Sequence, residues 1–488
     1  MGSERLVDAC LLPGFAGAEL PDWVRQALDG GLAGVTLYGH NLTDPEAVHR
    51  LAAHVHDCRP DALVALDEEG GDVTRLDYRA GSAYPGNLAL GELDDEASTY
   101  AVATAIAADL RDAGVDVDLA PCIDVNSDPD NPVIGVRSFG ASPERVARHG
   151  AAFVRGLQDG GVAAVVKHFP GHGATTVDSH LALPRVADTE EVLRVRDLPP
   201  FVAAVAAGAL GVMTAHVVFE TLDEQPATLS RRVLTGLLRD ELGFDGVVVT
   251  DALDMAGVRA AHGIDGAAVL ALVAGADLLV LGAEDGETHR ADVHRAVAAA
   301  VADGRLTTDR LEDAAARVRT LAAHVAGNTT TGRPASDVGL EAARRAVRSF
   351  GALPLAGPAV VAELRGTTNL AVGDARWTLA GPLERLGALA AAVPVGPDGP
   401  AAHDVATTAS GRPLVLAVRD ARRSRWQREW VTAMLKLRPD VVLVALGMPE
   451  DAELGARTAV LAYGAGRVNT QAAAEHLVKG GSAPSGSP

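Results

Sequence analysis

From Leu6 to about residue 325, short apolar runs rich in β-branched residues alternate with longer stretches in which Ala, Leu and Val recur every three or four positions among charged residues. The first pattern suits a strand buried on both faces and the second an amphipathic helix, so the alternation predicts βα units around a parallel sheet. Eight runs qualify: LVDACLLPG, GVTLYG, ALVALDEE, VDLAPCIDV, AAVVKHF, GVMTAHV, GVVVTDAL and DLLVLGA. Segments such as DPEAVHRLAAHVHDC, EASTYAVATAIAADLRDAG, SPERVARHGAAFVRGLQDGG and SRRVLTGLLRDELG lie between them. Most of these open on Ser or Asp and close on Gly, the residues that satisfy the loose backbone groups of helix ends. Eight units over roughly 320 residues predict a (β/α)8 TIM-type barrel at 1–325, with a doubly wound open sheet as the alternative.

The rhythm breaks at AGNTTTGRPASD, a polar stretch assigned to a linker at 326–340. Beyond it, the strand-like runs AVVAELRG, TNLAVG, PLVLAVRD and DVVLVALG and the helical SRWQREWVTAMLKLRP and NTQAAAEHLVKG predict a smaller α/β sandwich domain at 341–479. The low-complexity GGSAPSGSP, 480–488, is expected to be disordered.

Composition narrows the function. The 488 residues are 48% hydrophobic and 22% charged, as in a globular chain. A net charge of -21 argues against a nucleic-acid partner, which needs clustered Lys and Arg. The three cysteines, Cys10, Cys58 and Cys122, are widely spaced and signal neither a disulfide framework nor a CxxC metal site. No run of 18 apolar residues occurs, and MGSERLVDACLLPGF lacks the apolar core of a secretion signal, so a cytoplasmic protein without a membrane partner is expected.

Ionisable residues collect where the predicted strands end. Asp67 ends ALVALD, Asp124 ends LAPCID, Arg137 follows in VIGVRSFG, Lys167 and His168 end AAVVKH, His216 ends VMTAH and Asp251 ends GVVVTD. In a barrel the C-terminal strand ends carry the chemistry, and a charge that interrupts an apolar strand needs a partner or a ligand. Arg75 follows two glycines that let backbone approach a ligand, which favours binding over a solvated charge. Asp124 reads equally as a loop cap, His216 as a satisfied rim histidine, and Lys167 with Asp251 as a structural ion pair.

The densest stretch is KHFPGHGATTVDSH, Lys167 to His180. Pro170 and Gly171 between His168 and His172 forbid the helical His-x3-His of a zinc site, and GHGATT has no lysine for a Walker-type phosphate cradle. No metal and no cofactor is therefore expected. In an extended DSH segment, Asp178 and His180 point the same way and Ser179 the other, so Asp178 can orient His180 as a proton carrier. His172 is expected only to shape the loop. With Asp251 across the mouth, a fixed carboxylate and a mobile proton donor are the minimum equipment for cleaving a glycosidic bond.

PGFAG, LDEEGGDVTRL, NPVIGVRSFG, KHFPGHG with DSH, VMTAH and TDALDM together resemble glycoside hydrolase family 3, in its β-N-acetylglucosaminidase branch of cell-wall recycling enzymes, across the whole predicted barrel. The resemblance implies that Asp251 is the nucleophile, His180 the general acid/base and Asp178 its dyad partner. It implies that Asp67, Arg75, Arg137, Lys167 and His168 hold a non-reducing terminal GlcNAc. The implied reaction is exo-hydrolysis of terminal β-GlcNAc with retention, on a small carbohydrate. Glu68, Asp72 and LYGHN depart from the family's common pattern, which bears on aglycone preference. Phosphorolysis, a β-glucosidase and a non-catalytic sugar-binding module are the alternatives.

Overall fold

The computed structural model describes residues 3–44, 46–177, 182–327, 337–366, 372 and 377–480. They form two compact units, each discontinuous in sequence: Met1–Glu69, Glu96–Ile134 and Ser138–Ala335 in the first, Gly70–Asp95, Gly135–Arg137 and Ser336–Pro488 in the second. The sequence pattern drew a single break at 326–340. Segments 70–95 and 135–137 group with the C-terminal residues through contacts distant in sequence, which no local pattern announces. Inside the stretch assigned to the linker, helix Thr308–Ala326 ends and helix Val338–Ala346 begins. Residues 328–336 and the expected disordered tail from 481 lie outside the described residues.

The first unit is built on eight short strands: β1 (Leu11–Leu12), β2 (Gly34–Thr36), β3 (Leu63–Leu66), β4 (Val117–Asp118), β5 (Ala163–Phe169), β6 (Gly211–Thr214), β7 (Val247–Val249) and β8 (Leu279–Val280). Each lies inside one of the eight apolar runs. β2 to β7 pair in sequence order, all parallel, and β1 pairs parallel with β8. A bridge from Val249 to Leu278 joins β7 to the β8 segment, and Thr36 N donates to Pro13 O at 3.2 Å beyond the end of β1, which completes the ring. Leu12, Ala65, Val117, Val165, Met213, Val249 and Val280 are among the buried residues of its core. Helix Pro143–Asp159 starts on Ser142, whose Oγ accepts from Arg145 N at 3.2 Å. Arg232–Glu241 winds as a π-helix rather than the α-helix its pattern suggests; Val233, Leu234, Leu237 and Leu238 reach the core in either winding. Helix Ala256–Ala274 has the length and apolar composition to cross a membrane, yet Gly263 (φ 67°) breaks it and much of it is buried in the unit.

The second unit holds a six-stranded sheet of β9 (Arg348–Phe350), β10 (Ala359–Leu364), β11 (Leu389–Val395), β12 (Leu414–Val418), β13 (Val442–Ala445) and β14 (Thr458–Leu461). Its order is β9-β14-β13-β12-β10-β11, parallel except for β9. One apolar cluster gathers Val361, Val415 and Val444 and a second gathers Val360, Leu416 and Leu443, so successive strand residues feed opposite faces. The expected strand TNLAVG falls largely outside the described residues. β9, β11 and β14 were not anticipated, since RSF and TAVL are short and LAAAVPV carries an internal proline.

Candidate active site

Two strand ends are stitched together past their ladders. Where β3 stops at Leu66, the Asp118 carboxyl on β4 takes the next available amide: Glu68 N donates to Asp118 Oδ1 at 2.9 Å. Asp67 and Glu69 flank that amide, and both reach the Lys167 ammonium, at 2.6 Å from Asp67 Oδ1 and 2.8 Å from Glu69 Oε1. The Lys167 and Glu69 side chains are 2% exposed and that of Asp67 19%, so Asp67 is the member of the clamp open to solvent. An ammonium held by two carboxylates in a desolvated site is ordered and charged, a rigid donor for a ligand hydroxyl.

Asp124 is the second hub. The backbone continues β4 beside β5, with Lys167 N donating to Pro121 O (3.1 Å) and Ile123 N to Lys167 O (2.8 Å). Cys122 and Asp124, two residues apart, therefore face the same neighbour. Asp124 Oδ2 meets His168 Nδ1 at 2.7 Å and accepts from the Cys122 thiol at 3.2 Å, while Oδ1 accepts from His172 N at 2.7 Å and His168 N at 3.3 Å. Burial pushes the Asp124 carboxyl up, but His168, His172 and the thiol together hold it below its ordinary value. It is an anion that fixes both histidines. Cys122, Asp124 and His168 offer donors of the kind zinc accepts, all within 4.8 Å of one another; the contacts among them are hydrogen bonds.

His172 is fully enclosed. Its Nδ1 lies 2.7 Å from Thr175 Oγ1 and its ring stands edge-on to His168. Burial, with the neighbouring His168 charge, pushes its imidazole down to about 4. It is therefore neutral near pH 7. Gly171, at φ 144°, turns the chain over the Asp197 side chain, and Gly173 packs so closely on Val125 that an added Cβ would lie 1.8 Å from Val125 O. Burial pushes Asp197 up to about 6 against the pull of Arg196.

Asp251 follows β7, half-buried, and its Oδ1 accepts from Ala252 N at 2.8 Å. His216, after β6, is enclosed, with Nδ1 2.7 Å from Thr228 Oγ1 and Nε2 3.0 Å from Ala252 O. Both ring nitrogens are engaged, so His216 props the segment that carries Asp251. Asp254, three residues on, is raised by burial, with Asp251 adding to the effect.

The first unit thus gathers Asp67, Lys167 and His168 at the ends of β3 and β5, and places Asp251 at the end of β7. Asp178 and His180 lie outside the described residues. Arg75 and Arg137 belong to the second unit. There Arg75 is buried with its guanidinium 5.9 Å from the Tyr78 ring centroid, and Arg137 O accepts from Asn87 Nδ2 at 2.7 Å. Asp72 in the same segment pairs with Arg419 at 2.6 Å and accepts from Ala465 N at 2.7 Å. Glu69 and Asp118 carry no mark of their own in the sequence. LDEE showed three consecutive carboxylates without saying which face the ammonium, and Asp118 read as the polar start of an apolar run.

A parallel eight-stranded barrel with ion pairs and histidines at the C-terminal strand ends is the architecture of a TIM-barrel enzyme site. The chain belongs to glycosyl hydrolase family 3, whose N-terminal domain model matches residues 18–321. It is 34% identical over 374 residues to Beta-hexosaminidase A of Pseudoalteromonas piscicida, covering 68% of this chain but 62% of that relative's length. It is 41% identical over 252 residues to Beta-hexosaminidase of Methylococcus capsulatus, covering 51% of this chain and 75% of the relative. Among solved structures, it is similar to a family 3 β-N-acetylglucosaminidase from Paenibacillus sp. str. FPU-7, with a TM-score of 0.91, 32% identity, and 99% and 98% of the two chains covered.

Proposed function

We propose that this chain is a retaining, exo-acting β-N-acetylglucosaminidase that releases terminal GlcNAc from a small carbohydrate. The observation that carries the reading is the paired arrangement at the barrel mouth: Asp67 and Glu69 on Lys167, Asp124 on His168, and Asp251 just after β7. These are hydroxyl-gripping groups around a carboxylate, held rigid by partners of their own.

In this reading Asp67, Lys167 and His168 hold the sugar. An Asp251 oxygen attacks the anomeric carbon as the glycosidic bond breaks, and His180 gives its proton to the departing oxygen. His180, now neutral, takes a proton from water, whose oxygen displaces Asp251 from the opposite face, the one the leaving group vacated. Asp178 orients His180. Two other histidines of the loop are poor candidates for the proton: His168 Nδ1 is tied to Asp124, and His172 is neutral near pH 7 with its Nδ1 at Thr175.

The names of the beta-hexosaminidase relatives and of the Paenibacillus structure support the sugar assignment. The test is a pair of nitrophenyl substrates, β-GlcNAc and β-glucose, with wild type and Asp251→Ala. Turnover of the first alone, lost by about 10⁴-fold or more in the variant, is expected for a lost nucleophile. Wild-type rates in Asp251→Ala, or preference for the glucoside, would overturn the assignment.

A further inference from the structure

We propose that Asp118 is a positioning residue for the sugar site: it acts through the Glu68 amide to set the Asp67 and Glu69 carboxylates against Lys167. Asp118 sits at the end of β4, opposite Leu66 on β3, with 0% of its surface exposed. Its Oδ1 accepts from Glu68 N at 2.9 Å, just past the last ladder residue of β3. That bond fixes the one amide between the two carboxylates that reach the ammonium. Residues two apart in an extended segment share a face, so fixing Glu68 sends Asp67 and Glu69 together to Lys167.

The other oxygen, Oδ2, is buried and has no hydrogen-bond partner among the described residues. A buried carboxylate with half its acceptors unmet is costly, whereas a neutral carboxylic acid keeps the Oδ1 acceptor without that cost. Burial pushes the Asp118 carboxyl well above its ordinary range, against the pull of the Glu68 amide and of Lys167, with the Glu68 and Asp67 charges adding to the rise. A neutral Asp118 also leaves both carboxylates of the clamp free to pair with Lys167 without a third anion competing. Asparagine reproduces such a group in shape and acceptor; leucine reproduces only the shape.

The consequence for catalysis rests on Asp67 and Lys167 holding substrate, as in the proposed function, but the clamp itself can be read without turnover. The chain contains only three lysines, Lys167, Lys436 and Lys479. In full-length protein with ¹³C-labelled lysine, three side-chain signals are expected, that of Lys167 being assigned by its loss in Lys167→Met. Asp118→Asn is expected to leave the Lys167 signal and the KM for nitrophenyl β-GlcNAc within about twofold of wild type. Asp118→Leu and Asp118→Ala are expected to move the signal and raise KM about tenfold or more with a smaller change in kcat, the mark of lost ground-state grip.

An unmoved Lys167 signal in a folded Leu or Ala variant would overturn the proposal, as would an Asn variant that shifts the signal as far as they do. Should neither Leu nor Ala fold, the Asn variant decides alone: wild-type signal and KM support the proposal, and a displaced signal contradicts it. A wild type without hexosaminidase turnover, but with the signal moving as expected, would remove the functional reading and leave the clamp standing.

Discussion

At the scale of single residues, Lys167 stands out because the chain uses Arg almost everywhere else for positive charge, with three lysines among 43 basic residues. The clamp explains the choice. A compact ammonium can point its three donors at Asp67, Glu69 and a ligand, while a planar guanidinium needs more room and a different geometry. With 2% of the side chain exposed there is no spare room. Lys167→Arg should therefore lower kcat/KM for nitrophenyl β-GlcNAc about 100-fold, some 2.7 kcal/mol, with the circular-dichroism spectrum unchanged; activity within threefold of wild type would remove the geometric argument. Asp197 gives a second prediction, in stability. Its folded carboxyl titrates near 6 because of burial, against an ordinary 3.8. A raised carboxyl favours folding below about pH 4 and loses that advantage as pH rises to about 6. Asp197→Asn should thus gain on wild type by about 3 kcal/mol between pH 4 and pH 7, measured by urea unfolding at each pH; a constant difference across that range would refute the cause. At this scale the sequence announced the residues that interrupt apolar runs, such as Asp67, Lys167 and Asp251. It could not announce Glu69 or Asp118, whose roles depend on which neighbouring strand supplies their partners.

At the scale of elements, the barrel strands were legible because strands buried on both faces leave continuous apolar runs whatever their neighbours. Their lengths were not, since residues such as Asp67 and Asp124 leave the ladder to serve as hubs while still following an apolar run. The loop after β5 was legible as irregular from Pro170, Gly171 and Gly173, but its anchor was not: Asp124 holds the His172 amide, and Asn131 Nδ2 donates to His172 O at 2.9 Å. Gly173 is where that loop touches Val125 backbone, with no room for a methyl group. Gly173→Ala should displace the loop and cut kcat/KM at least tenfold while the melting temperature moves by only a few degrees; unchanged kinetics would show the contact to be dispensable. At the opposite, N-terminal side of β7 and β8, buried Asp277 is shared by Arg239 (2.5 Å) and Arg310 (2.6 Å) and also accepts from Val248 N (2.9 Å). Asp277→Ala strands two partly buried guanidiniums and should cost about 3–5 kcal/mol in denaturant unfolding; a loss under 1 kcal/mol would contradict that role.

At the scale of the whole molecule, the division into units was the least legible feature. Residues 70–95 interrupt the barrel in sequence yet belong with the C-terminal sheet, through contacts such as Asp72 to Arg419 and Arg467 to Asp77 that no periodicity encodes. The family, by contrast, was legible from short motifs, because strand-end chemistry constrains residue type and spacing together. In the proposed reaction one carboxylate, Asp251, attacks the sugar and one water later replaces it, so configuration is inverted twice. Proton NMR of GlcNAc in the first minutes after release from nitrophenyl β-GlcNAc, before mutarotation, measures this directly. Two inversions release the β-anomer first, with decay toward the equilibrium mixture; initial release of the α-anomer would contradict them.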